Sequence, residues 1–493
     1  MNIYSVFEKS AVLYGNRIAL IHGKNKITYS EMESRIRAAE RSLRNCGIQK
    51  GDRILVFVPM GIELYIAVLA IFRMGAVVVL VDQWASQERV KNCLIAAPCV
   101  AMICNKVTRW ISYWNPQFWK LKKIIPGRIK SVETETENML DHEEALITFT
   151  SGSTGLPKAA NRTHGFLNAQ LNALIPYIPK DISHPVLCTL PVITLLNLSL
   201  GKTTVLPNFP LKQHKFQVRK MYENMVKNNV AEIISSPFYI HELANMGFPG
   251  TLELVLTGGG AVFVEDAKKW LAKSEQIQFT IFYGSTECEP VSHINAHDLL
   301  QYEMHRGLAV GRVDANTNVA IIPFLDSGYH SIADAVWESM VQNEKAGEIV
   351  VAGDHVLTSY IGLSEHELSN KIRVGDMLWH RTGDAGLFVG DMLFLLGRAA
   401  ERIDHENGSI FPFEAEMLLR RMFGYSAGTL IKTDKGPTLV LDKKQKGIET
   451  ELLQIFKERW NLEPVFVYVE EIPMDPRHHS KILYDKLRVY ATE

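Results

Sequence analysis

The string Thr150-Ser151-Gly152-Ser153-Thr154-Gly155-Leu156-Pro157-Lys158 concentrates two glycines, four hydroxyls and one lysine in nine residues. Glycines let backbone N–H groups approach phosphate oxygens, hydroxyls donate further bonds, and lysine supplies charge. The spacing is not that of a Walker A loop, which needs four residues between its glycines and Lys-Ser/Thr at its end. Here the lysine follows Pro157 and precedes Ala159. Two more polar loops follow apolar runs: Gly258-Gly259-Gly260-Ala261, and Tyr283-Gly284-Ser285-Thr286-Glu287. Together with 151–158 they are candidates to converge on one ligand. Cys288, beside Glu287, has no neighbour that would activate a thiolate.

Such loops need a scaffold. The runs ILVFVP (54–59), AVVVLV (76–81), EALITFT (144–150), AEIISS (231–236), LELVLTGG (252–259) and IQFTIFYG (277–284) read as buried strands. Helical patterns such as 62–74 separate them. This predicts an α/β fold whose large N-terminal domain has mainly parallel sheets flanked by helices. Active-site loops in such sheets lie beyond the carboxyl ends of the strands. After residue 396 the pattern shortens to small strands and the helical stretches 414–422 and 449–459. The chain of 493 residues is too long for one core, so the expected division is 1–396 and a small α+β unit over 397–493.

Composition excludes several classes. Lys plus Arg is 53 and Asp plus Glu is 54, a balance that argues against a nucleic-acid binder resting on phosphate contacts. With 47% hydrophobic and 22% charged residues, the chain reads as globular, not disordered. The most apolar window, 65–81, contains Arg73 and Gly75 and falls short of the roughly 20 residues a membrane span needs. The start MNIYSVFEKS lacks a basic segment followed by an apolar one, so no signal peptide and a cytoplasmic location are expected. The six scattered cysteines form no disulfide or zinc pattern.

Taken in order, the motifs resemble the adenylate-forming superfamily of acyl-CoA synthetases, adenylation domains and luciferases. TSGSTGLPK (150–158), ITYSEM (27–32), TGGGA (257–261), YGSTE (283–287), HRTGD (380–384), LGR (396–398) and Lys481 match its landmarks across essentially the whole chain. The resemblance implies ATP- and Mg²⁺-dependent activation of a carboxylic acid as acyl-AMP, with pyrophosphate released. It implies that Ser151, Thr154 and Lys158 hold the β- and γ-phosphates, within a loop of Thr150, Gly152, Ser153 and Gly155. Gly258, Gly259 and Gly260 would lie beside adenine, and Tyr283 would stack on it, with Gly284 and Ser285 in the same motif. Thr286 would bond the α-phosphate, Glu287 would bind Mg²⁺, and Asp384 would accept the ribose hydroxyls. Arg398 would reach ribose or phosphate from the hinge. Lys481, on a small mobile lid, would stabilise charge as the acyl oxygen attacks.

The chain also departs from that pattern. The hinge reads Gly397-Arg398-Ala399-Ala400, the usual lysine of the following loop is Asp404, and Asp475-Pro476-Arg477-His478-His479-Ser480 replaces a glycine before Lys481. These changes resemble the olefin-pathway β-lactone synthetases and related fatty-acid–CoA-ligase-like chains. The reading ranks transfer to a thiol, CoA or a carrier-protein arm, first. Closure by the substrate's own 3-hydroxyl comes second, and an amine acceptor or a non-catalytic acyl-AMP-binding regulator follows. The apolar stretch 192–200, with 235–239, is the expected acyl pocket, and it favours an apolar, fatty acid over an amino acid. His164 is expected to have a structural role lining the nucleotide pocket, and His478 and His479 are a base for the 3-hydroxyl, ligands or solvated tail residues.

Overall fold

One mainly parallel sheet, one mixed sheet and their covering helices are built from the apolar runs. In the computed structural model the described residues are all except 82–84, 127–134, 152–156, 209–214, 304, 327, 329, 365–366, 407, 425–427, 443–446, 475–480 and 493. One sheet has the order Lys122–Ile124, Ala101–Cys104, Arg53–Phe57, Val77–Val79, Glu144–Ser151, Pro157–Thr163. Its strands are parallel except for the last pair, a hairpin in which Thr150 faces Lys158. Val77, Val78 and Val79 are all buried, as a strand covered on both faces requires.

The second sheet is mixed. Val186–Cys188, Glu232–Ser235, Leu254–Gly258 and Gln278–Ser285 run parallel. From Cys288–Asn295 onward the order through Leu308–Val313, Met392–Arg398, Met377–Val389 and Gly347–Ala352 is antiparallel. The parallel half carries the nucleotide-motif loops at its carboxyl edge. The antiparallel half carries Asp384 and Arg398.

Helices are fixed by caps and by burial. Thr28 caps the helix Tyr29–Asn45: its Oγ1 accepts from the Glu31 backbone N–H at 3.2 Å, and the Glu31 carboxylate accepts from the Thr28 N–H at 2.9 Å. The ITYSEM motif is therefore a helix start. The helix Ile62–Arg73 is buried almost throughout, and Leu69→Ala would cost about 2–5 kcal/mol. Arg73 at its end is buried against Glu40, an ion pair with both charges out of water. The Lys202 ammonium is likewise buried on Glu232 at 2.6 Å.

Beyond Arg398, a three-stranded sheet (Gly428–Thr433, Gly436–Asp442, Val465–Val469) packs with the helices Pro412–Phe423, Glu449–Trp460 and Tyr484–Thr492. Its apolar residues form their own clusters, including Leu419, Leu439, Leu452 and Phe456. It also docks on the rest: Phe411 and Met417 join the large core, Phe413 packs on Phe263 with ring centroids 5.4 Å apart, and Arg306 pairs with Glu414 at 2.9 Å.

Candidate active site

The strands Glu144–Ser151 and Pro157–Thr163, which flank the TSGSTGLPK motif, pair antiparallel with Ser151 opposite Pro157. Gly152, Ser153, Thr154 and Gly155 lie outside the described residues. Lys158 sits on the second strand with its Nζ 5.7 Å from the centre of the Tyr360 ring and 3.5 Å from Ser369 Oγ. Tyr360 is buried, and the segment around it runs along the hairpin: Ile361 donates to Ala159 O at 2.9 Å. The Tyr360 hydroxyl donates to Glu287 Oε1 at 3.1 Å and accepts from Asn370 Nδ2 at 2.9 Å.

Thr286 and Glu287 form the turn between the strands Gln278–Ser285 and Cys288–Asn295, whose last paired residues are Ser285 and Cys288. Arg162, from the phosphate hairpin, donates to Thr286 O at 3.0 Å. The turn is thus held from both sides, by Arg162 and by Tyr360, and it is tied to the lysine-bearing strand. Among the described residues no three His, Cys, Asp or Glu side chains gather as a protein-built metal cage. Mg²⁺ suits a single carboxylate such as Glu287, because it completes its shell with phosphate oxygens and water.

Asp384 and Arg398 face one another across adjacent antiparallel strands. The Asp384 carboxylate accepts from the Tyr283 hydroxyl at 2.9 Å on one oxygen and lies 3.0 Å from the Arg398 guanidinium on the other. The Asp384 charge raises the Arg398 pKa, and Tyr484 of the C-terminal helix is near enough to raise it further. Lys481 is exposed three residues before Tyr484, next to the bridge between Met474 and Ile482. The neighbouring Arg381 is not part of this set: it is half-buried and donates from Nε and Nη2 to Glu348 Oε2 at 2.9 and 2.7 Å.

Strand alternation divides the YGSTE strand between two pockets. Tyr283 turns to Asp384, whereas Phe282 lines an apolar cavity enclosing about 420 Å³, part of it open to solvent. Ile193 and Leu196 contribute from the helix Pro191–Ser199, with Leu174, Ile178, Ile234 and Leu256 around them. Gly258 closes one end, and a side chain there would press within 3.1 Å of Phe282 O. Glu289 is also a lining residue, and its carboxylate accepts from Gln170 Nε2 at 3.5 Å. Its backbone crowds Gly284, where an added Cβ would lie 3.2 Å from Glu289 Cα. Glu289 therefore stands where this apolar cavity meets the YGSTE motif.

Residues 7–361 match the family described as "AMP-binding enzyme". The chain belongs to that family. It is an adenylate-forming acyl ligase. The olefin β-lactone synthetase of Stenotrophomonas maltophilia is 26% identical over 94% of this chain and 91% of its own. The 2-succinylbenzoate–CoA ligase of Bacillus licheniformis is 24% identical over 97% and 98%. The O-succinylbenzoate coenzyme A synthetase of Bacillus subtilis, solved with AMP, superposes with a TM-score of 0.79 at 20% identity, covering 98% of both chains. That likeness shows the fold.

Several expectations for the ligase need correction or extension. His164 is structural, but it does not line the nucleotide pocket. It is fully buried, accepts from the Ile3 N–H at 3.1 Å and packs edge-on to Phe72, and burial lowers its pKa to about 4. Of the stretches expected to form the acyl pocket, Ile193 and Leu196 line the apolar cavity with Ile234, whereas Ser235 is bonded to Thr189, and Pro237 and Phe238 line a different cavity. Cys288 is buried beside Pro290 O and His355, and burial raises its pKa, as expected of an inert thiol. Asp404 is held within its own hairpin by Ser409 at 2.7 Å and Arg402 at 3.1 Å. His478 and His479 lie outside the described residues.

Sequence reasoning missed Arg162, Tyr360, Asn370, Glu289 and Lys371. Lys371 is fully buried with its ammonium on Leu357 O, and burial lowers its pKa to about 7 despite the nearby Glu287 charge. None of these lies in a glycine-marked motif. The only signal was Glu289 itself, an acidic residue two positions after the YGSTE motif at the start of the strand Cys288–Asn295.

Proposed function

We propose that this enzyme activates an apolar carboxylic acid bearing a hydroxyl on C3, and that this hydroxyl then closes a β-lactone on the acyl-AMP. The observation that carries the reading is Glu289 in an otherwise apolar cavity at its junction with the nucleotide motif. A second carboxylate near the reacting one repels a plain fatty acid. A substrate hydroxyl donating to Glu289 offsets that repulsion with a hydrogen bond to a charged acceptor. The β-lactone synthetase relatives and the altered hinge loop support the same ranking, which reverses the order drawn from the sequence.

In the first step the acid's carboxylate oxygen attacks the α-phosphorus of ATP and pyrophosphate leaves. Lys158 and the hydroxyls of 151–154 hold the β- and γ-phosphates, and Tyr283 and Asp384 hold adenine and ribose. Glu287 would hold the Mg²⁺, which would supply neutralising charge when bound. Lys481 does the same from the lid, and positioning does the rest. The core of this division of labour is 1–396, and the lid is 397–493. In the second step the C3 hydroxyl oxygen attacks the acyl carbonyl carbon, its proton passes to Glu289, and the bond to the phosphate oxygen breaks as AMP departs. A second reading, transfer to CoA or a carrier thiol, draws support from the CoA-ligase relatives.

The test is the pair Glu289→Leu and Glu289→Gln, assayed by pyrophosphate release with 3-hydroxydecanoate and decanoate. Glu289→Leu should lose about 10- to 100-fold in kcat/KM on the hydroxy acid and keep or gain activity on decanoate, since a bond to a charged acceptor is worth about 1.5–3 kcal/mol. Equal losses on both acids, or none, would remove Glu289 from substrate recognition.

A further inference from the structure

The helix Lys106–Tyr113 is inside out. Its polar Thr108 and Ser112 are buried, while Val107, Trp110 and Tyr113 face solvent with Trp114 just beyond the helix end. Trp110 is 64% exposed, Trp114 is 72% and Trp119 is 64%. A helix on a protein surface normally buries its apolar stripe, and contiguous exposed apolar residues mark an interaction site. The aromatic groups are braced, not loose. Trp110 and Trp114 pack edge-on at 5.9 Å, and Trp119 Nε1 donates to Tyr113 O at 3.0 Å.

Charge identifies the occupant. From Lys91 to Pro126 the chain carries Lys91, Lys106, Arg109, Lys120, Lys122 and Lys123 and no Asp or Glu, although the whole protein is close to neutral. Lys106, Arg109, Lys120 and Lys122 are exposed around the tryptophans, and Lys123 lies 5.2 Å from the Tyr113 ring centre. Tryptophan and tyrosine sit at the headgroup level of bilayers, and lysine and arginine add attraction to anionic lipid. Among the described residues no helix is long and apolar enough to cross a membrane. The contact is therefore peripheral.

We infer that the face built by Trp110, Tyr113, Trp114 and Trp119 with its surrounding cations docks this enzyme on an anionic lipid bilayer. Apolar acids partition into that phase, so docking places the enzyme where an apolar substrate collects. The inference stands independently of which acceptor ends the reaction.

Flotation with vesicles of phosphatidylglycerol and phosphatidylcholine in equal parts, against phosphatidylcholine alone, tests it. The full chain should float with the anionic vesicles and release as salt is raised. The triple variant Trp110→Ser, Trp114→Ser, Trp119→Ser should bind at least tenfold more weakly. It should keep wild-type pyrophosphate release with a short, water-soluble acid, which also shows that it folds. Lys106→Glu with Lys120→Glu should lose the preference for anionic lipid. A wild-type chain that floats with neither vesicle overturns the proposal. So does a concentration-dependent dimer abolished by the tryptophan variant, since a second copy would then cover the face.

Discussion

The nucleotide side and the acyl side of this site share one strand, Gln278–Ser285, yet they are built in opposite ways. The nucleotide side is a set of turns whose backbones must come close: Gly258 against Phe282, Gly284 against Cys288 O, Asp384 across from Arg398. The acyl side adds to the shared Gly258 and Phe282 positions a set of apolar side chains from separate elements, among them Leu174, Ile178, Ile193 and Leu196. Backbone constraints restrict residue type and leave motifs; an apolar cavity accepts many combinations of equal volume. Activity loss should therefore be severe and general on the first side, and selective on the second.

The largest effect should come from Lys481→Ala, with adenylate formation falling about 10²- to 10³-fold, the scale of losing one preorganised donor to a developing charge. Isotope exchange between pyrophosphate and ATP reads it for every acid alike; an acid-dependent loss would blur the division. Asp384→Ala should come next. It removes the acceptor that Tyr283 and Arg398 converge on, and should raise the KM for ATP about 10- to 100-fold with the acid KM little changed. On the acyl side, Leu196→Trp fills part of the cavity and should cost about tenfold on a ten-carbon acid while sparing a four-carbon one. Losses on both acids would indicate a damaged fold.

His164 provides the smallest effect on activity and a separate one on stability. Its folded pKa, about 4, lies below the ordinary 6.5 because burial disfavours the charged ring. Stability that is fully present above about pH 6.5 is thus lost as pH falls toward 4. Between pH 7 and pH 5 this one residue should cost about 2 kcal/mol. In urea titrations, the stability gap between wild type and His164→Leu should shrink by that amount, and the KM for ATP should stay within about twofold. A pH-independent gap would show that the ring is not held neutral.

The α/β architecture, the parallel strands and the carboxyl-edge loops were legible because buried runs such as AVVVLV and glycine-marked turns leave period and composition in the sequence. The antiparallel half was less so: its strands resemble the others in composition, and pairing direction is set by connections. At the site, Tyr283, Glu287, Asp384 and Arg398 could be named from motifs. Tyr360 and Arg162 could not, since they act by reaching across from other segments to pin the Glu287 turn. His164 was misassigned because adjacency to the phosphate motif in sequence becomes, after one strand, a position under the N-terminus. The inverted helix at Lys106–Tyr113 was missed for a related reason: periodicity gives an apolar face but not the direction in which the fold turns it.

The central claim is that the acid's own hydroxyl, read by Glu289, ends the reaction. AMP release measured with Mg²⁺-ATP and either 3-hydroxydecanoate or decanoate, each with and without CoA, tests it directly. The account predicts sustained turnover for the hydroxy acid alone, unaffected by CoA. Sustained turnover that requires CoA and ignores the hydroxyl would contradict it.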